Sequence, residues 1–140
     1  MIVALLALQA ATAAVALPLP DALAPQSLPE RGCAAYLWSV ADRRMVAMVA
    51  ADPARLRLAL GGKPSDYTRV AQVGNGEFGL GGTGEYRLGD VNIRVEMTVV
   101  TRPDLTDGGS VPQGMLTIVR PGADEVIVPV AGMIGCAPAR

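Results

Sequence analysis

The main candidates for acid–base chemistry in this chain are carboxylates, because the sequence contains no histidine and Lys63 is its single lysine. Without histidine, the usual general base near neutral pH is missing, together with Ser-His-Asp catalysis, Cys-His catalysis and histidine zinc sites. Four carboxylates lie in one region: Glu85, Glu96, Asp104 and Asp107. A glycosidase would hold two such groups beside a sugar-binding cleft, which is usually lined with aromatic rings, and aromatic residues make up 4% of this sequence. We therefore expect a protein that is not an enzyme.

The segment GNGEFGLGGTG, residues 74–84, spaces Gly74, Gly76 and Gly79 as in a GxGxxG phosphate-binding loop. In the dinucleotide-binding fingerprint, this loop ends a strand and opens a helix whose N-terminus faces the pyrophosphate. Here further glycines and a strand-like pattern follow, so no such helix is expected. The sequence predicts a flexible glycine-rich surface connection in which Asn75 can take a positive φ, Phe78 turns inward and no cofactor is bound.

A second candidate site is the segment RPDLTDGGSVP, which joins two predicted strands. Its oxygen-bearing side chains could hold calcium, but their spacing is not that of an EF-hand and the closing glutamate is missing. A turn between strands uses the same residue types without an ion. We expect no metal here, with calcium as the alternative. Because polar loops often carry binding, the candidate interaction residues are Asp104, Thr106, Asp107, Gly108, Gly109 and Ser110.

The elements that must position these residues are strands, and TGEYRLGDVNIRVEMTV shows the clearest pattern. Apolar and polar residues alternate on both sides of Gly89 and Asp90, and glycine at the first central position favours a two-residue hairpin turn. This turn predicts a register that pairs Leu88 with Val91, Tyr86 with Ile93, and Glu85 with Arg94. The Arg94 cation would keep Glu85 charged, which makes this carboxyl a poor general acid.

Similar runs elsewhere predict an all-β domain, a small antiparallel barrel or sandwich of about eight short strands. Pro129 cannot donate a ladder hydrogen bond, so we expect its strand to lie at an edge or to bulge there. The segment DPARLRLALGG carries helix signals at both ends, with Asp52 before Pro53 and Gly61 after the last leucine. Its leucines alternate with arginine and alanine, however. This alternation favours a strand and leaves one short helix near 52–60 as the alternative.

Trp38 lies in the strand-like run CAAYLWSV. An indole inside an apolar strand is more often part of the core than a ligand platform, so we expect Trp38 in the core. The same position is predicted for the methionines Met45, Met48, Met97, Met115 and Met133.

The first 16 residues predict a secretory signal peptide. They form an apolar, uncharged run that is too short to cross a bilayer and ends in the small-x-small pattern of Ala14, Val15 and Ala16. The alternative is an uncleaved N-terminal anchor, because no lysine or arginine precedes the run. Residues 17–30 contain prolines at 18, 20, 25 and 29 without apolar periodicity, which predicts a flexible leader. A single β domain over 31–140 follows, and the expected location is periplasmic or secreted.

Cys33 and Cys136 are the two cysteines, and they lie near the two ends of the predicted domain. In an oxidising compartment such a pair is most simply a disulfide. Closing a loop of about a hundred residues stabilises a fold by roughly 4 to 5 kcal/mol in the chain-entropy model. We therefore predict a disulfide that ties the ends of the domain together.

The charges are balanced and dispersed, with 12 basic residues against 13 acidic ones. Nucleic acid or an anionic membrane would require a basic stripe. We therefore expect neither of them as a partner after signal cleavage, and we expect a monomer.

These properties favour a secreted or periplasmic, non-enzymatic module that binds a protein partner in the cell envelope. In size, compartment and disulfide use, the chain is similar to the bacterial periplasmic inhibitors of lysozyme or of secreted proteases. This likeness is one of class, without a shared motif. The alternative is a structural or assembly component of the envelope, anchored by an uncleaved N-terminal segment.

Overall fold

The computed structural model describes residues 15–16, 19–74, 76–104 and 108–138, and these form an all-β domain. The strands in chain order are β1 (Val15–Ala16), β2 (Cys33–Ser39), β3 (Met45–Ala51), β4 (Ala54–Leu60), β5 (Lys63–Val73), β6 (Gly82–Leu88), β7 (Val91–Thr101), β8 (Gly108–Val119), β9 (Ala123–Asp124) and β10 (Val126–Cys136). A 3₁₀ turn, Glu77–Gly79, lies between β5 and β6. Across the described ranges, there is no helix with the length and apolar character that a membrane span needs.

Eight strands close an antiparallel barrel in the order β10-β2-β3-β4-β5-β6-β7-β8. From β2 to β8, each strand pairs with the next one along the chain, because short turns join antiparallel neighbours. β10 pairs with β8 on one side and with β2 on the other, which closes the barrel. β1 and β9 form a separate parallel ladder. The prediction of an all-β barrel or sandwich with about eight strands is confirmed, and the structure is the barrel of these two.

The interior of the barrel is filled by side chains from all eight of its strands. Six of the largest that are fully buried are Leu37, Leu56, Leu58, Ile93, Leu116 and Ile118. Successive residues of a strand point to opposite faces, and an eight-stranded barrel is just wide enough for side chains to fill. Alternate apolar residues therefore suffice for the core, and the outer surface is free to differ between strands.

The hairpin between β6 and β7 has the predicted register, which pairs Leu88 with Val91, Tyr86 with Ile93, and Glu85 with Arg94. Gly89 takes a φ of 58° in the turn, a conformation that glycine adopts without steric cost. Tyr86 and Ile93 are buried. Glu85 and Arg94 face outward and form an ion pair with Oε1 and Nη2 3.2 Å apart.

β4 confirms the strand that was favoured over a helix for this segment. Leu56 and Leu58 are fully buried in the barrel interior, whereas Arg55 and Arg57 alternate with them on the outer face. A helix would place these leucines on different sides, so the two-residue period of the leucines prevails over the helix signals at Asp52, Pro53 and Gly61.

The predicted disulfide between Cys33 and Cys136 is confirmed, with a sequence separation of 103 residues. The two cysteines are opposite each other in the ladder between β2 and β10. The bond therefore lies where the last strand of the barrel meets the first.

Pro129 lies on β10, which has a neighbouring strand on each side in the closed barrel, so its predicted edge position is wrong. It pairs with Met115 of β8 and lies one residue beyond Val130–Ser39, the outermost pair between β10 and β2. A bulge in the β10–β8 ladder follows between Val130 and Gly132, close to the alternative that the sequence predicted. The missing N–H is tolerated because the ladder with β2 ends here.

The segment predicted as a flexible leader contacts the outside of the barrel. The backbone N–H of Asp21 donates to Ala59 O at 2.9 Å, and that of Leu23 donates to Met45 O at 2.8 Å. Leu23 is buried. Further along, the Tyr36 hydroxyl donates to Ser27 O at 2.8 Å. The flexibility of this segment stays a prediction, as do the signal peptide and its cleavage.

Candidate functional site

The glycine-rich segment packs against the barrel core. Leu80 is 2% exposed in the core, and Phe78 packs half-buried against it, as predicted. A Cβ on Gly76 would overlap the carbonyl oxygen of Leu80, and one on Gly82 would overlap that of Val73. Strand β6 follows directly rather than a helix, which is also as predicted. Close packing therefore accounts for these two glycines, while Asn75 lies outside the described residues.

The described candidate carboxylates are not joined into a catalytic pair. Glu85 holds the ion pair with Arg94, and Glu96 is exposed on β7. Both oxygens of Asp104 accept hydrogen bonds from Arg102, at 3.0 and 2.9 Å. These bonds lower the pKa of Asp104, whereas a general acid at neutral pH needs a raised one. Asp107 lies outside the described residues.

The predicted interaction loop is shorter than expected. Gly108, Gly109 and Ser110 are the first residues of β8. Gly109 is buried, and a Cβ there would lie 2.8 Å from Val100 O and 3.0 Å from the Phe78 ring. This close approach makes Gly109 part of the packing between strands. Asp104 remains in the exposed connection, and Thr106 and Asp107 lie outside the described residues. Among the described residues, no three potential metal ligands cluster together.

The outer surface of the barrel divides into two halves by charge. β8, β10, β2 and β3 are consecutive neighbours in the barrel, and none of them contains a charged residue. We call their outer surface the charge-free face. The charged residues of the barrel strands all lie on β4 to β7, namely Arg55, Arg57, Lys63, Asp66, Arg69, Glu85, Arg87, Arg94 and Glu96.

Large apolar side chains of the charge-free face reach solvent. Trp38 is 37% exposed and Met133 is 49% exposed. The cross-strand register places Trp38 opposite Ala131, Tyr36 opposite Met133, and Met115 opposite Pro129. Other exposed apolar side chains on the same strands are Val119 and Ile127. The register makes these residues neighbours, so they form one continuous surface.

The prediction that Trp38, Met115 and Met133 belong to the core is wrong, because all three lie on the outer face. Strand β2 has apolar residues at both its inward-facing and its outward-facing positions, and Ala35 and Leu37 fill the inward ones. Alternation therefore could not assign a direction to Trp38. The signal that marks this face is the absence of charged residues from four separate strand segments. Of the other methionines, Met48 is buried outside the barrel interior, beneath the leader, and Met45 and Met97 are half-buried.

The charge-free face has defined borders. At one end, Leu28 lies over Gly135, where a Cβ would be 2.7 Å from Leu28 Cδ2. At the other end, the turns after β2 and β8 carry exposed charges, namely Asp42, Arg43, Arg44, Arg120, Asp124 and Glu125. An apolar centre with a polar rim is the usual anatomy of a protein–protein interface.

A cleft of about 470 Å³ lies between the leader and the outer face of β3 and β4. Its charged lining consists of Glu30, Arg31, Asp52, Arg55 and Arg57. Beside it, Asp66 accepts two hydrogen bonds from Arg57, at 2.8 and 3.2 Å, and these lower the pKa of Asp66. We call this site the arginine cleft. Sequence reasoning missed it because it depends on where the leader packs.

Comparisons with protein-family models, with curated proteins and with solved structures found no match to this chain.

Proposed function

We propose that the protein is a secreted or periplasmic, non-enzymatic module that docks a protein partner through the charge-free face. The observation that carries this proposal is the exposure of Trp38 on β2 and Met133 on β10, which belong to a block of four adjacent strands without any charge. Contiguous exposed apolar surface on a soluble domain is typical of an interaction site.

The structure of the charge-free face favours binding by side-chain packing over binding by strand addition. In a closed barrel every strand has two partners, so a partner cannot add a strand to an edge. Binding must come from side-chain packing, for which a tryptophan and flexible methionines are suitable anchors. Because the face is uncharged, a partner with an apolar surface can cover it without burying an unpaired ion.

A protein surface fits this face better than a lipid surface. The exposed charges at the border include Asp42, Asp124 and Glu125 as well as Arg43 and Arg44. Binding to anionic lipid is strengthened by an excess of lysine and arginine beside the apolar surface. The mixed signs at this border supply no such excess.

The disulfide supports an oxidising compartment, and the apolar N-terminal run supports export. A non-enzymatic role is supported by the lack of histidine in the sequence and by the ion pairs that Glu85 and Asp104 form with arginine. The partner class that we propose is an envelope enzyme, such as a lysozyme or a secreted protease, which the module inhibits.

The test is inhibition and retention of lysozymes and of secreted proteases by the full chain. Met133→Glu should weaken binding at least tenfold, because it buries an unpaired charge at the contact. Trp38→Ala should cost about 2 kcal/mol or more of binding free energy if the indole is an anchor. Arg94→Gln on the opposite half is the matched control and should leave binding unchanged.

Three outcomes would reject this proposal. The inhibitor role is rejected if the chain neither retains nor slows any of several envelope enzymes. Concentration-dependent dimerisation in sedimentation that Met133→Glu abolishes would assign the face to a second copy of the chain. Flotation with phosphatidylcholine vesicles that Met133→Glu abolishes would assign it to lipid.

A further inference from the structure

We infer that the arginine cleft binds a carboxylate attached to an apolar body, with Arg55 as the residue that holds the carboxylate. The cleft lies between the leader and the outer face of β3 and β4. It involves none of the exposed side chains, Trp38 and Met133, that carry the proposed docking surface. The cleft shares the outer side of β3 with the charge-free face, but the inference does not rest on the proposed docking function.

Arg57 is occupied by partners within the protein. Its Nε and Nη2 donate to the two oxygens of Asp66, at 2.8 and 3.2 Å. Its Nη1 donates to Gln26 Oε1 at 2.7 Å, which links the leader to β4. All three nitrogens of this guanidinium therefore have acceptors, and Arg57 serves as a fixed wall of the cleft.

Arg55 is less fully engaged than Arg57, because its contact with Asp66 is an ion pair without a hydrogen bond. Its Nε is buried and has no hydrogen-bond acceptor among the described residues. Its Nη1 lies 3.6 Å from Asp66 Oδ2, which is beyond hydrogen-bond distance. That oxygen already accepts from Arg57. A buried donor without an acceptor is unfavourable, and an arginine fork fits the two oxygens of one carboxylate.

The remaining lining of the cleft defines the rest of the ligand. Polar atoms make up most of the exposed lining, and the apolar part comes from Pro25, Leu28, Pro29, Met48, Ala50 and Pro53. The volume of about 470 Å³ lies within the range of small-molecule sites. A carboxylate on an aliphatic or aromatic body can meet Arg55 and these walls together.

The charge balance of the cleft argues against a general anion site. Glu30 and Asp52 line it together with the three arginines, and Asp52 lies 3.5 Å from Arg31 Nη2. A highly charged anion such as phosphate would meet these carboxylates as well as Arg55. A single carboxylate, whose apolar remainder faces the prolines and Met48, carries less charge into the same space.

The test uses the full chain and the side-chain Nε–Hε signal of Arg55 in NMR spectra. Hexanoate should shift this signal saturably, whereas hexanamide, which has the same shape without the charge, should not. Arg55→Met should weaken hexanoate binding at least tenfold. Arg87→Met is the matched control, because Arg87 lies on β6 and donates to Asn92 instead, and its affinity should equal that of the unmodified chain.

A second arm separates the two sources of such a carboxylate. A tetrapeptide ending in leucine is compared with its C-terminal amide. Tighter binding of the acid peptide than of hexanoate would identify a protein C-terminus as the ligand. Equal or weaker binding of the peptide would identify a free organic acid. Both results support the site.

The inference fails if hexanoate and hexanamide shift the Arg55 signal equally. It also fails if neither hexanoate nor the acid peptide gives saturable binding, or if Arg55→Met binds them as tightly as the unmodified chain does. Loss of the fold cannot mimic success, because the signal of Arg55 is measured in the unmodified chain and the unfolding midpoint of Arg55→Met is measured beside it.

Discussion

Two halves of one barrel share an interior and differ in their exteriors. Leu56 on β4 and Leu116 on β8 are both fully buried, and both are flanked in sequence by outward-facing residues. On β4 one such residue is Arg57, which pairs with Asp66, whereas on β8 it is Met115, which is exposed. Folding requires the inward-facing apolar side chains of the strands in both halves. The two halves differ in their outward-facing residues, which include charged side chains in one half and none in the other.

The two halves also differ in what joins their strands. In the charged half, Arg57–Asp66 links β4 to β5 and Arg94–Glu85 links β7 to β6. Both ion pairs are partly exposed, and such pairs contribute about 0 to 1 kcal/mol each. In the other half, a disulfide joins β2 to β10. The disulfide should therefore contribute more to the free energy of unfolding than the two ion pairs do.

The largest expected effect is that of removing the disulfide. Cys33→Ala combined with Cys136→Ala should lower the free energy of unfolding by roughly 4 kcal/mol, because the unfolded chain regains the freedom of a closed loop of about a hundred residues. Urea unfolding at pH 7 measures this loss, with the reduced unmodified chain as control. A loss below about 1 kcal/mol would show that strand pairing alone closes the barrel.

The next effect tests whether the two interiors are equivalent. Leu56→Ala in the charged half and Leu116→Ala in the charge-free half should each cost about 2 to 5 kcal/mol, because both residues are fully buried. Urea unfolding of both variants gives the comparison. A difference of more than about 2 kcal/mol between them would mean that one half forms most of the core.

Sequence patterns predicted the parts of the fold that alternation or covalent chemistry specifies. The register of Tyr86 with Ile93 follows from a two-residue turn and two amphipathic strands. The disulfide follows from two cysteines at the ends of the domain. The strand β4 follows from its alternating leucines. In each case the residue types and their positions in the sequence are enough to determine the outcome.

The parts that escaped prediction depend on contacts between distant segments. Trp38 lies on a strand that is apolar at both parities, so only the closed barrel shows that it faces outward. The leader has no periodicity, and its contacts with Ala59 and Met45 require the folded barrel as a template. Gly109 resembles a turn residue until its closeness to Phe78 is known. The arginine cleft depends on the position of the leader, because leader residues form one of its walls.

A smaller effect concerns the ion pair of the charged half at acidic pH. Hydrogen bonds from Arg57 lower the pKa of Asp66, so their stabilisation is present above the unfolded pKa of about 4. It is lost as the pH falls through the lower pKa of the folded state. Asp66→Asn should reduce stability at pH 7 by about 1 kcal/mol or less, because the side chain is partly exposed.

The measurement for this pair is urea unfolding as a function of pH, with Arg57→Met completing a double-mutant cycle. The unmodified chain should lose more stability below about pH 4 than Asp66→Asn does. If the unmodified chain and Asp66→Asn lose the same amount of unfolding free energy below about pH 4, Asp66 and Arg57 do not interact in solution.

The smallest expected effect separates folding from binding on the charge-free face. Met133 is 49% exposed, so Met133→Gln should change the free energy of unfolding by no more than about 0.5 kcal/mol. Arg94→Gln on the charged half should do the same, and urea unfolding compares the two variants. If Met133→Gln alone destabilised the protein by more than about 1 kcal/mol, packing within the chain would explain the apolar outer row, and no partner would be needed. If both variants are neutral while Met133→Gln alone weakens binding to the partner enzyme, the apolar outer row serves recognition and the fold does not depend on it.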